Sequence, residues 1–303
     1  MVGHMEITTD EFVNAFVAEV HGKQGDLDRL VTEPSGLTIA GMIEAMYHPS
    51  VGRLAIPLLA DFMAPEGSIY YDAIFGAYYG QSSIRRWLVP AMADIEFIDF
   101  VPTAETVVID DGHGGTWLDE WQMMMNLEGE RIPLARGVSV RRYRDGWLNW
   151  ACDVYDTAAF RQPAPPGVDV SAAPELPPCP HVEWQTDAAG GQLPLLDPRR
   201  TAGPFHPTES VYFDPIAGEL HGGAAITAWI DSASADAAGT AFEPLGPVLT
   251  DGHTTVQEWK RTTADGGVDG SLLRGTSVRR AVDGLTVYAA DYYDTAVLIH
   301  SAP

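Results

Sequence analysis

Positive charge is scarce in this chain. Eighteen Lys and Arg residues face 42 Asp and Glu, a net charge of −24 at pH 7. Such a balance repels phosphate backbones and anionic lipid, and no basic cluster interrupts it, so neither nucleic acid nor a membrane is expected as a partner. Cysteine is nearly absent. Cys152 and Cys179 form no C-x-x-C pair, and two thiols do not make a disulfide framework. Cys152 lies among apolar residues and reads as a buried small hydrophobe. No apolar run approaches the ~20 residues of a membrane span. The N-terminus lacks the basic and apolar regions of a signal peptide, so a cytoplasmic protein is expected. Also missing are the G-x-G-x-x-G and G-x-S-x-G signatures of dinucleotide binding and serine hydrolysis. No spacing of His, Cys and Glu suggests a metal site. The expectation is neither cofactor nor metal.

What the chain does contain is a repeat. Its 303 residues, 46% of them hydrophobic, suit two domains of ordinary size. Residues 136–159, RGVSVRRYRDGWLNWACDVYDTAA, align without a gap on 274–297, RGTSVRRAVDGLTVYAADYYDTAV, with 14 of 24 positions identical. Unrelated sequence would match at about one or two. Upstream, at a constant offset of 142, Ser68, Tyr70, Asp72, Ile74, Gly76, Gly80, Ile84 and Trp87 recur as Ser210, Tyr212, Asp214, Ile216, Gly218, Gly222, Ile226 and Trp229. Between these blocks, Asp111-Gly112-His113 and Glu120-Trp121 recur as Asp251-Gly252-His253 and Glu258-Trp259. Three anchors in one order imply a tandem duplication. Seven prolines between Gln162 and Pro180 forbid a helix or a ladder and mark an extended linker. The expected organisation is a first domain over 1–161 with an N-terminal helical lid, a linker over 162–181, and a second domain with reduced helices over 182–303.

Each unit reads as α+β. Phe12, Ala15, Phe16, Glu19 and Val20 trace a mostly apolar helical stripe within Glu11–His21, and Thr38–Phe62 is also helix-like. Residues 68–72 alternate as a strand, and Gly76 and Gly80 allow a loop. Ser82 is placed to cap a short helix with Ile84, Trp87 and Leu88 on one face, ended or bent by Pro90. Four β segments follow, at roughly 97–109, 116–125, 133–143 and 147–155, with Asp111-Gly112 and Asp145-Gly146 as hairpin turns. Strand periodicity puts Asn149, Ala151, Asp153 and Tyr155 on one face, with Leu148, Trp150, Cys152 and Val154 on the other.

This order resembles the NTF2-like superfamily, with its SnoaL-like, ketosteroid-isomerase-like and limonene-epoxide-hydrolase-like members. The carriers are the Tyr-Tyr-Asp strand leading through Gly80 into the Ile84/Trp87 helix, and the ending Asp-Gly-Trp-Leu-Asn-Trp-Ala-Cys-Asp-Val-Tyr-Asp. They cover most of 37–160 and, without the helices, 208–298. The resemblance implies two tandem cone-shaped α+β barrels, each a curved antiparallel sheet wrapped around helices, forming an intrachain pseudo-dimer with further homo-oligomerisation left open. In the epoxide-hydrolase-like relatives the acid at the position of Asp153 points into the pocket, and Glu120, 33 residues earlier, matches the second carboxylate. Those relatives carry an Arg two residues before that acid, where this chain has Leu118 and Val256.

A carboxylate pair in a dry cone is an acid–base device, because burial and like charge separate the two pKa values. Glu120 and Asp153 are therefore the expected catalytic pair, assisted by Tyr155, Tyr70 and His113. Tyr71, Asp72, Tyr78 and Met124 are expected to line the substrate site. Copy one has Tyr71, Ala77-Tyr78-Tyr79 and Met123-Met124-Met125 where copy two has Phe213, Glu219-Leu220-His221 and Arg261-Thr262-Thr263. Aromatic and Met side chains suit an apolar ligand, so copy one is expected to be active and copy two a structural partner. The implied activity is a lyase, dehydratase or isomerase, polyketide-cyclase-like, acting on a hydrophobic cyclic or aromatic small molecule. A non-catalytic binding module, an epoxide hydrolase and an accessory subunit stay open. So does a structural reading, in which Glu120 pairs with Arg136 across strands and Asp156-Thr157 forms a turn or cap.

Overall fold

The computed structural model describes residues 8–20, 27–32, 34–48, 51–95, 97–110, 114–158, 203–236, 240–245, 248–263 and 273–296. The Pro-rich stretch and the expected boundaries at 161 and 182 lie outside them. No described helix is long and apolar enough to cross a membrane.

Helices open the first repeat. In α1 (Thr9–Val20), Thr8 and Glu11 satisfy each other's backbone N–H groups at the N-terminus, and Phe12 and Phe16 point inward. After α2 (Leu27–Thr32), Ser35 and Thr38 form a capping box that starts α3 (Gly36–Met46) two residues before the expected Thr38. The helix-like stretch to Phe62 is broken after Tyr47. It resumes as α4 (Gly52–Ala55), one 3-10 turn (Ile56–Leu58) and α5 (Leu59–Phe62). Gly41 lets α1 and α3 touch, since a Cβ there would sit 2.7 Å from Phe12.

The strand at 68–72 is β1 (Ile69–Asp72), and the stretch expected to be loop is a second strand, β2 (Gly76–Tyr79). Its helix, α6 (Gln81–Asp94), follows Gly80 with no side-chain cap, so Ser82 does not cap it. Pro90 lies inside this helix. Pro90 and Arg86, whose carbonyl loses its partner, are both exposed, so water can replace the missing bond. The meander then runs through β3 (Ile98–Pro102), β4 (Val107–Asp110), β5 (Gly114–Leu127), β6 (Glu130–Arg144) and β7 (Trp147–Tyr155). Positive φ at Glu128-Gly129 and Asp145-Gly146 gives both tight hairpins the twist of the strands they join. The sheet order is β2-β1-β7-β6-β5-β3, with β4 also on β5.

The second repeat reproduces this plan. Its strands are β8 (Val211–Asp214), β9 (Gly218–His221), β10 (Thr240–Pro244), β11 (Leu249–Thr250), β12 (Thr254–Thr263), β13 (Leu273–Val282) and β14 (Leu285–Tyr293), with α7 (Gly223–Asp236) after β9. The order is again β10-β12-β13-β14-β8-β9 with β11 on β12, and β14 runs parallel to β8. The sheet is thus mixed, not wholly antiparallel. A helical core built on Phe12, Ile39, Met42, Ile43, Leu59 and Ile84 fills the first repeat. Tyr212, Ile226, Ile230 and Ala289 form a smaller one in the second.

Two compact units emerge, and their division cuts through the first sheet. Asp72–Gly76, Arg136–Val138 and the chain from Val154 onward fall in the second unit. Within that unit, Thr157 donates its N–H and hydroxyl to Asp294, and Thr295 donates both to Asp156. Each Asp also accepts the N–H two residues on, from Ala158 or Ala296, the local turn the sequence implies. Burial raises the pKa of Asp156.

Candidate active site

Strand alternation and hairpin register decide which polar groups meet. In β5, Asp119 and Trp121 face the strands that carry Ser139, Arg141 and Asp153, since Asp119 bonds Arg141 and Trp121 donates to Ser139 Oγ at 2.8 Å. Along β7, Leu148 and Ala151 both belong to the helical core, so the simple alternation expected over 148–155 is broken once. The second repeat has the matching irregularity at Arg280/Ala281. A bulge of this kind re-aims the side chains beyond it. Tyr70, on the neighbouring β1, completes the face.

The result is a buried network around one guanidinium. Asp153 accepts the Tyr70 hydroxyl at 2.5 Å and the Ser139 hydroxyl at 2.6 Å, and Arg141 reaches it at 3.7 Å. On the other side Arg141 lies 3.3 Å from Asp119, which also accepts the Thr106 hydroxyl at 2.6 Å. Arg141 and Asp119 are each 2% exposed. Two carboxylates against one guanidinium leave one uncompensated negative charge, which a buried site resists by holding a proton. Burial accordingly raises the pKa of Asp119 despite Arg141 and Thr106. Burial alone would lower that of Arg141, but the charges of Asp153 and Asp119 outweigh it and hold the guanidinium charged. Tyr47, just past α3, is driven upward mainly by burial, then by Asp119, which keeps its hydroxyl protonated.

The structure brings together Asp153 and Tyr70 from the expected set, but not Glu120. Glu120 is buried, yet it alternates with Asp119 and projects from the opposite face of β5. Its counterpart Glu258 pairs with Arg274, while Arg136 is engaged within the second compact unit by Glu219 at 2.9 Å and the Phe213 ring at 4.6 Å. Tyr155 donates to Asp72, at 3.1 and 3.2 Å, and Asp72 also caps the turn at Ile74 and Phe75. That role suits a scaffold residue. Tyr71 is buried but alternates away from Tyr70. Tyr78 stacks on Trp87 at 4.4 Å. Met124 shares the Glu120 face, and its neighbour Met123 shares that of Asp119. His113 lies outside the described residues. Unforeseen members are Asp119, Ser139, Arg141, Tyr47 and Thr106. Two signals pointed to some of them: Ser139 and Arg141 sit in the duplicated block, and Asp119 is Gln257 in the other copy.

The same comparison separates the repeats. In the second, Asp291 accepts from Tyr212 at 2.5 Å, from Ser277, and from Arg279 at 2.7 Å. One acid meets one arginine directly, with Gln257 where Asp119 would be. Nearby, Asp214 is held by Ile216 and Ala217 N–H groups and the Tyr293 hydroxyl. Burial, then the Asp291 charge, pushes its pKa up to about 6. A raised carboxylate pKa stabilises the fold fully below the unfolded value, and that contribution is lost as pH rises through the folded one. Asp214→Asn should therefore match the wild type in melting near pH 4 and exceed it by about 2 kcal/mol at pH 7.5. Thermal melts across that range check this, and a gap independent of pH contradicts it.

No protein-family model and no curated protein matches the chain. Solved structures do. A proposed isomerase of the SnoaL-like family from Agrobacterium tumefaciens is 25% identical over 32% of this chain and 80% of its own, with a TM-score of 0.27. A proposed NTF2-like dehydratase from Streptomyces avermitilis is 16% identical over 41% and 95%, with a TM-score of 0.31. A proposed SnoaL-like polyketide cyclase from Shewanella denitrificans is 18% identical over 40% and 89%, at 0.29. By its own strand order and helices, each repeat of this chain is an α+β unit, a strand hairpin and a helix leading into a meander whose last strand lies beside the hairpin, the plan that the sequence resemblance to NTF2-like proteins implies.

Proposed function

We propose that the first repeat is a cofactor-independent acid–base enzyme, a lyase, dehydratase or isomerase acting on a hydrophobic cyclic or aromatic small molecule. One observation carries this reading: two buried carboxylates, Asp119 and Asp153, share a single buried guanidinium. Asp153 Oδ2 accepts the Tyr70 hydroxyl, and a carboxylate oxygen has a second lone pair that can take a substrate proton. Asp119, with its pKa raised by burial, is suited to hand a proton back. Arg141 and Tyr47 supply positive charge and a hydroxyl against an enolate or alkoxide. Trp117, Trp121 and Tyr143 give the same face an aromatic surface that suits a flat apolar ring. The second repeat, with Gln257 in place of Asp119, fits a structural role.

The test is deuterium wash-in at the activated carbon of 2-tetralone in D2O, followed by NMR. Exchange above the buffer rate is expected for the full chain and not for Asp153→Asn. Equal exchange in both would end the assignment. The acid–arginine–acid set also favours a second reading, water-activating epoxide hydrolysis. Diol formation from styrene oxide, without exchange into 2-tetralone, would select it.

A further inference from the structure

The buried side-chain donors of the first repeat with no hydrogen-bond partner among the described residues include the indole N–H of Trp117 and the Nε–H of Arg141. Trp117 is 9% exposed and Arg141 2%. A buried donor left unmet forfeits the hydration it had in the unfolded chain, a cost of about 1–3 kcal/mol. The side-chain groups of Arg141 that do find partners are its two terminal nitrogens, on Asp119 and Asp153.

The two donors lie close in the sheet. Thr255 and Arg279 are directly opposed across β12 and β13, and Trp117 and Arg141 precede them by the same 138 residues in sequence. The rings of Trp117 and Tyr143, two residues beyond Arg141, meet at 6.5 Å. Trp117 also sits two residues before Asp119 on the same face of β5. Both unmet groups are N–H donors, so the complementary ligand group is an acceptor. With Thr255 at the matching position, the second repeat has no such indole.

We propose that Trp117 Nε1 and Arg141 Nε form a two-donor subsite that binds the carbonyl, enolate or carboxylate oxygen of an aromatic ligand in the first repeat. The subsite rests on the acid–base reading for its purpose: an oxygen held here sets the adjoining carbon beside Asp153. It adds a substrate class, planar apolar molecules bearing a conjugated carbonyl or acid.

The eight Trp indoles of the chain give a readout independent of turnover. Indole ¹H–¹⁵N spectra of the full protein are recorded with 2-naphthoate, 2-acetonaphthone and naphthalene, and Trp117→Phe identifies the Trp117 peak. The first two probes should move that peak downfield and naphthalene should not. Trp117→Phe should weaken 2-naphthoate binding about tenfold more than it weakens naphthalene binding, the difference being the worth of one hydrogen bond to a charged acceptor. Trp117→Tyr serves if the Phe variant loses the other indole peaks. An ordered water satisfying both donors predicts no ligand-dependent shift. An unmoved peak, an equal shift with naphthalene, unchanged affinity in the variant, or no binding by any probe overturns the subsite. Asp153→Asn separates the two ideas. Exchange kept with the shift intact removes the base and spares the subsite. Exchange lost in that variant, with no Trp117 shift in the wild type, does the reverse.

Discussion

Arg141→Leu should destabilise the protein by about 3–5 kcal/mol, because removing one partner from a buried ion pair strands the other. Here two partners are stranded at once. Among the described residues, Asp119 keeps the Thr106 hydroxyl, and Asp153 keeps Tyr70 and Ser139. The penalty falls on the charged forms, so the variant escapes part of it by protonating. The loss should therefore be largest at pH 8 and shrink toward pH 5. At about 2–4 °C per kcal/mol for domains of this size, the melting temperature drops by roughly 10 °C at the upper pH. Thermal melts followed by near-UV circular dichroism measure this directly. A second variant locates the cause: Asp119→Leu together with Arg141→Leu leaves a single stranded acid and should recover part of the loss. A pH-independent drop would mean that Arg141 matters for its packing and not its charge.

Asp153→Asn should cut deuterium exchange into 2-tetralone by about 10²–10⁴-fold, the usual contribution of a positioned general base. Asparagine keeps the shape and still accepts the Tyr70 hydroxyl through its carbonyl, so the fold should survive. Asp119→Asn removes the proton donor instead. The wild type should lose exchange at high pH as Asp119 deprotonates, and this variant should not show that decline. Asp291→Asn changes the homologous acid of the second repeat and should leave exchange near the wild-type rate. If it abolishes exchange while Asp153→Asn does not, the active copy has been assigned to the wrong repeat. If neither variant changes the rate, the buried network holds the sheet together and nothing more.

Several parts of the fold were legible because they depend on local chemistry. The stripe through Phe12 and Phe16 and the Asp145-Gly146 turn each act over a few residues. The β2 strand escaped notice because a ladder is made by backbone, and Gly76-Ala77-Tyr78-Tyr79 has no strand-like alternation to advertise it. In the second copy the same ladder pairs Val211 with His221 and Asp214 with Gly218. The helix through Pro90 persisted because its broken bond faces water.

The site shows the limit more sharply. Asp153 and Tyr70 could be chosen from their recurrence, but Glu120 and Asp119 are neighbours with equal claims as acids. Which of them faces Asp153 depends on strand parity, and one residue of slip or one bulge reverses it. The arginine sought beside the acid in sequence arrives instead from the next strand, as Arg141.

The order of the residues alone carried the duplication and the α+β plan, because repeats and periodicities are written along one dimension. Only the folded sheet decided that Asp119 rather than Glu120 meets Asp153, and that one guanidinium serves two acids. Those facts are distances between strands, set by register, burial and the pairing of charges that no linear spacing encodes.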